Sequence, residues 1–180
     1  QVDGTVQDVT VNDVAFGSGS FGMRAEEGVW TGQAMVGSLD RFLEIPTFAL
    51  SQPDRSMHAE LVAYQLQIAD LVDVVARYVP ALDPELRERL DTVTGQLDAY
   101  AVGRGRLDDP TVDVQVLQAT ALELAGTPMG RVDVTARRAE GVWNVDALDW
   151  SGGPGRFAMN GSYTEGGDVR VDGELSNLDL

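Results

Sequence analysis

The sequence predicts a mainly β fold, an antiparallel meander interrupted once by a short helical hairpin. Three observations carry that expectation. Apolar and polar residues alternate with period two along much of the chain, the mark of strands with one apolar and one wetted face. The links between alternating runs are short and carry Gly, Pro and Asp, which permits hairpins but not parallel crossovers. A helical period surfaces only between residues 70 and 90.

The N-terminal strands are read through an internal repeat. The segment VTVNDVAFGSGSFGMRAEEGVW (9–30) lies over LELAGTPMGRVDVTARRAEGVW (122–143). Gly17 then meets Gly130, Arg24 meets Arg137, Glu27 meets Glu140, and Val9 and Val11 meet Leu122 and Leu124. The shared grammar is strand, turn, strand, turn, strand, used twice. Residues 47–51 and 57–68 read as further strands.

The middle of the chain changes period. Leu71, Val74, Val75 and Tyr78 form one helical stripe, closed by Pro80. Asp83 reads as an N-cap with Pro84 at the first helical position, and Leu82, Leu86 and Leu90 make a narrow apolar seam. These two helices are expected to dock on the sheet through Leu86 and Leu90 and cover one end or rim.

Residues 91–180 then form a continuous antiparallel meander. Val112, Val114 and Val116 alternate with Asp113 and Gln115; Val132 and Val134 alternate with Asp133 and Thr135. Phe157, Met159 and Tyr163 alternate with Arg156, Asn160 and Ser162; Val169, Val171 and Leu175 alternate with Arg170, Asp172 and Glu174. Trp143 and Val145 sit on odd positions but Leu148 and Trp150 on even ones, and Leu178 and Leu180 are likewise out of phase with Val169 to Leu175. A one-residue slip turns an apolar set to the other face unless a bulge absorbs it, so bulges are expected near Asp146–Ala147 and Ser176–Asn177.

Composition narrows the function. Thirteen basic against 29 acidic residues give a net charge of −16, which argues against nucleic acid and anionic lipid surfaces. All thirteen are Arg, so phosphate loops and Schiff-base chemistry that need Lys are excluded. There is no Cys for a disulfide, a thiolate nucleophile or a Cys-ligated metal, and the one histidine, His58, cannot build a multi-histidine site. No apolar run is long enough to span a bilayer as a helix. Carboxylate pairs occur at Glu26/Glu27, Asp70/Asp73, Asp108/Asp109 and Asp146/Asp149, but in turns, on polar strand faces or at helix starts rather than in the unlike environments that acid–base work needs. Asp108, Asp109 and Asp113 cluster at a turn without the EF-hand spacing. His58, beside Glu60 on one strand face, reads as a surface histidine. Trp30 and Trp143 hold equivalent repeat positions and read as amphipathic rings at the mouth of the sheet. The glycine-rich GSGSFG (17–22) and SGGPG (151–155) do not lead from a strand into a helix, so they are hairpin turns rather than nucleotide loops. No catalytic, cofactor or metal residues are assigned, and no enzyme is expected.

The order of these elements resembles TamB-like proteins of the AsmA-like superfamily. The words that carry it are Gly95 to Leu97 (G-x-L), Gly105 to Pro110 (G-x-L-x-x-P) and Leu124 to Gly130 (L-x-G-x-P-x-G). They continue through Gly141-Val142-Trp143, Gly153-Pro154-Gly155, Gly161, Gly173-Glu174-Leu175 and Leu178-Asp179-Leu180. The likeness covers essentially the whole chain, more weakly residues 31–68, and rests on order and spacing. It implies a curved, taco-like half-pipe with an apolar concave face. It further implies a periplasmic location, within an inner-membrane-anchored protein that reaches the outer membrane and carries phospholipid acyl chains between the two. Implied partners are phospholipid, adjacent repeats of the same chain and an outer-membrane β-barrel assembly protein of the TamA or BamA type. The chain is expected to be a fragment of such a protein: one β-repeat segment at 1–68, two short helices at 69–91 and a second β-repeat segment at 92–180, in one continuous module.

An antiparallel sheet with one apolar face must hide it against another layer or a ligand. Two short helices are too little to cover about ten strands, ~48 Å of ladder at ~4.8 Å spacing. Pattern alone leaves open a closed β-sandwich or an apolar groove; the resemblance selects the groove. The expected groove-facing set is Val112, Val114, Val116, Leu122, Leu124, Val132, Val134, Phe157, Met159, Val169, Val171 and Leu175. The rival reading is a passive stalk, or a chaperone module that binds client β-barrel strands at an open sheet edge.

Overall fold

The structure is a computed structural model, and it describes residues 1–11, 14–38, 40–69, 92–152, 156–164, 167 and 169–176. Strands β1 (Val2–Val11), β2 (Val14–Glu26), β3 (Val29–Ser38), β4 (Arg41–Ser51) and β5 (Ser56–Gln67) precede residues 70–91. Strands β6 (Val93–Arg106), β7 (Pro110–Leu124), β8 (Thr127–Ala139), β9 (Val142–Ser151), β10 (Arg156–Thr164) and β11 (Val169–Ser176) follow. All eleven lie in one sheet in chain order, each antiparallel to the next, with β1 and β11 as its edges. The fold is therefore an open meander. The expected helices over Asp70–Tyr78 and Asp83–Leu90 lie outside the described residues, as does the Asn177 side of the second expected bulge. The strand expected at 47–51 is longer and begins at Arg41, because Pro46 falls at a bulge and does not break the ladder.

Turn chemistry sets the register. Glu27-Gly28, Ala125-Gly126 and Glu140-Gly141 each join their strands through two residues with positive φ, the geometry that matches a hairpin's own twist. The repeat read from sequence is also a repeat of geometry, at an offset of 113 residues (28 to 141). Strand β2 maps onto β8, end for end. Val9 faces Gly17 and Thr10 faces Ala15, just as Leu122 faces Gly130 and Glu123 faces Pro128. Asp8 (φ 54°) matches Ala121 (φ 49°), and Gly17 (φ 87°) matches Gly130 (φ 88°).

Bulges recur at one level across the sheet. Pro46 and Thr47 lie opposite the single Gln33. Gln115 is the extra residue of β7 against β6, and Asp146 the extra residue of β9 against β8. The bulge expected near Asp146–Ala147 is thus present. Tracing partners from strand to strand puts the three bulges in one transverse row. Each bends and twists its strand at the same height. Among the described residues there is no second layer: strands touch their sequence neighbours, and only Ala63 and Leu66 are buried.

Candidate functional site

Directly opposed residues of an antiparallel pair project to the same side, so the register assigns every side chain to a face. One row runs from edge to edge through Val6, Gly19, Val36, Leu43, Ala63, Ala99, Leu117, Val134, Leu148, Met159 and Gly173. Every member is apolar or Gly. A second row on the same face runs Val2, Met23, Gly32, Phe48, Ala59, Gly103, Val112, Arg138, Trp143, Tyr163 and Val169. Between them lie Gly4, Phe21, Ala34 and Ile45 in the first half, and Ala101, Val114, Ala136, Val145, Gly161 and Val171 in the second. Leu66, Leu97, Ala119, Val132, Trp150 and Phe157 continue the face toward the other strand ends.

Arg138 is the one charge in these rows, and it is held at the margin. Its Nη1 donates to Asp109 Oδ1 at 2.9 Å and to the carbonyl of Pro110 at 2.7 Å. In the rest of the rows named, the only side-chain N–H and O–H groups belong to aromatic residues. The indole N–H of Trp150 donates to the carbonyl of Met129, which leaves its ring on an apolar surface with the polar atom satisfied. Nothing described covers the face: Phe21 is 38% exposed, Trp30 36%, Tyr163 44% and Val171 55%.

The opposite face carries the charge. Glu60, Val102, Asp113, Arg137, Asn144, Ser162 and Arg170 form one of its rows. Asp98, Gln118, Asp133, Asp149, Ala158 and Glu174 form another. Shallow depressions on this side follow the bulges, lined by residues such as Gln33 and Thr47, Val116 and Thr135, or Asp146 and Asn160.

By register, ten of the twelve residues expected in the groove lie on the apolar face, and the side chain of Leu175 lies outside those described. Val116 does not share that face. It pairs with Tyr100 on the polar side and is 45% exposed, because the bulge at Gln115 shifts the alternation by one and hands the place to Leu117. Sequence reading also missed the first-half members, such as Leu43, Ile45 and Phe48, and the second-half Leu97, Ala99 and Ala101. Small residues and bulges blur their alternation; the order of strands recovers them.

The other candidates resolve as surface chemistry. Asp108 is bound by Arg106 in a two-point hydrogen bond at 2.9 Å, Asp109 by Arg138, and Asp113 by Arg104 at 2.5 Å with Arg137 at 3.4 Å. Each carboxylate of the turn thus faces guanidinium, and no group of three metal-ligating side chains exists among the described residues. The Arg106 hydrogen bond holds the Asp108 carboxyl down to about 2. Arg131, with help from Gln118, likewise lowers Asp133. Glu26 pairs with Arg24 at 2.6 Å and Asp149 with Arg156 at 3.5 Å, while Asp70 and Asp73 lie outside the described residues. His58 Nε2 sits 3.8 Å from Glu60 Oε1 on the polar face, and Glu60 also accepts from the Tyr100 hydroxyl at 3.3 Å.

Among the described residues no helix is long and apolar enough to cross a membrane. In comparison with known proteins, no family model, curated protein or solved structure matches the chain.

Proposed function

We propose that the chain is a non-enzymatic segment of a TamB-like intermembrane bridge. In this reading the sheet folds lengthwise about its row of bulges and turns the apolar face inward as a groove. The groove shields phospholipid acyl chains on their way between inner and outer membranes, in the periplasm, and so supports outer-membrane biogenesis. The observation that carries the reading is the pair of edge-to-edge rows with one charge among 22 positions.

The dimensions and energies suit that cargo. Ten inter-strand steps of ~4.8 Å give a trough ~48 Å long, longer than the ~30 Å hydrocarbon core of a bilayer. An acyl chain gains about 0.8 kcal/mol for each methylene it buries. A bare apolar sheet face of this extent needs an occupant or a second layer. Adjacent repeats of the same kind would extend the trough, and a β-barrel assembly protein would receive it at the outer membrane.

Native mass spectrometry of the gently purified chain tests the reading, with bound phospholipid the expected result. Val134→Asp places a charge in the middle of an apolar row, where it must be hydrated or paired. Lipid should be lost from this variant and retained in Asp133→Asn, whose side chain points the other way. Circular dichroism must show both variants folded. A folded wild-type chain free of lipid, or a folded Val134→Asp variant that keeps it, would favour the passive stalk or strand-binding chaperone instead.

A further inference from the structure

We propose that the free edge of β1 is an acceptor for one added antiparallel strand of the β6 type, docked in the register that β6 takes on β7. The inference starts from the repeat. Strand β1 corresponds to β7 at the 113-residue offset: both present the same bulge to their inner neighbour, with Asp8 and Ala121 in the same left-handed conformation. The two strands differ on the outer side. There β7 holds β6, whereas β1 is the edge of the sheet. An acceptor built twice and filled once identifies its own ligand.

The register follows by transposition. Leu97 faces Ala119, Asp98 faces Gln118 and Ala99 faces Leu117, so the incoming strand sets its equivalents of these opposite Val6, Thr5 and Gly4. Its Leu and Ala then join the apolar face and its Asp the polar one. The bulge adds a steric rule. Gly95 lies against the bulge of β7 with φ 141°, and a Cβ there would stand 2.9 Å from the Thr120 carbonyl oxygen. An occupant of β1 therefore needs glycine at that place, within the pattern Gly-x-Leu-x-Ala-x-Ala of Gly95 to Ala101. The β1 edge carries neither Pro nor Lys, the residues that commonly blunt such edges.

Disulfide trapping tests this cleanly because the chain has no cysteine of its own. A synthetic peptide of residues 93–106 carrying Leu97→Cys is mixed under mild oxidation with the 180-residue chain carrying Val6→Cys. Val6 is 43% exposed, so folding should persist and is checked by circular dichroism. The expected result is an adduct formed at least tenfold faster than with Asp3→Cys, and a similar loss of rate when the peptide also carries Gly95→Val. Hydrogen exchange of β1 amides should slow when the unmodified peptide is added. Equal trapping at Val6→Cys and Asp3→Cys, no adduct, Val6→Cys homodimers in place of adduct, or indifference to Gly95→Val would each overturn the proposal. None of these outcomes depends on whether the apolar face holds lipid.

Discussion

Single atoms decide two positions in this sheet. Gly32 sits in the second apolar row, where a Cβ would fall 2.8 Å from Phe48 Cε1 and also strike the Gly22 carbonyl oxygen. Gly32→Ala should therefore destabilise by ~1–3 kcal/mol in urea unfolding, the usual cost of overpacking. Asp108 is held at about 2 by the hydrogen bond from Arg106, with Arg106 and Arg55 charges helping. Its folded pKa lies below the ordinary 3.8, so its stabilising contribution is present above that value and is lost as pH falls through about 2. Carbon-detected titration of the Asp108 carboxyl should give that low midpoint, and Arg106→Gln should return it toward the ordinary value. The same residue scale explains the one misplaced groove position. Period-two reading sends Val116 to the side of Val114, and only the extra Gln115 sends it to the other.

At the scale of elements, turns and bulges carry the specificity that alternation lacks. Glu27 and Glu140 occupy the first of two positive-φ turn positions, where Asn is preferred over Glu. Glu27→Asn and Glu140→Asn should each stabilise by ~0.5–1 kcal/mol, measured by urea midpoints, and by similar amounts because the two hairpins are copies of one another. A gain at one site alone would show that the geometric repeat is not an energetic one. Much of this level was legible in the sequence: the Glu-Gly-Val-Trp words located both hairpins, and the phase change between Val145 and Leu148 located the bulge at Asp146. The bulge in β4 was not legible: the sequence reading began this strand only at residue 47, whereas Pro46 falls within the strand where the ladder already has an extra residue.

For the whole molecule, charge segregation is the dominant fact. Twenty-nine acidic residues oppose 13 Arg, and the register puts nearly all the described strand charges on one face. Salt raises screening, with a Debye length of ~30 Å at 0.01 M and ~10 Å at 0.1 M. It weakens two opposing terms. The exposed Arg–Asp pairs contribute at most ~1 kcal/mol each, while repulsion acts over the whole excess of negative charge. The urea midpoint should therefore rise between 10 and 150 mM NaCl; a fall would mean that the ion pairs outweigh the repulsion. The sequence by itself determined the antiparallel meander, the repeat and the Glu-Gly hairpins, because period-two alternation and turn residues are local properties; GSGSFG (17–22), expected as a hairpin turn, lies instead inside β2, where its small residues continue the strand. Only the tertiary structure decided that all eleven strands form a single open sheet and that the bulges share a transverse row. It also decided that small residues such as Ala63, Ala99 and Gly103 complete rows begun by Val and Leu. Those depend on which strands meet and in what register, and pairing between distant residues leaves no local period to read.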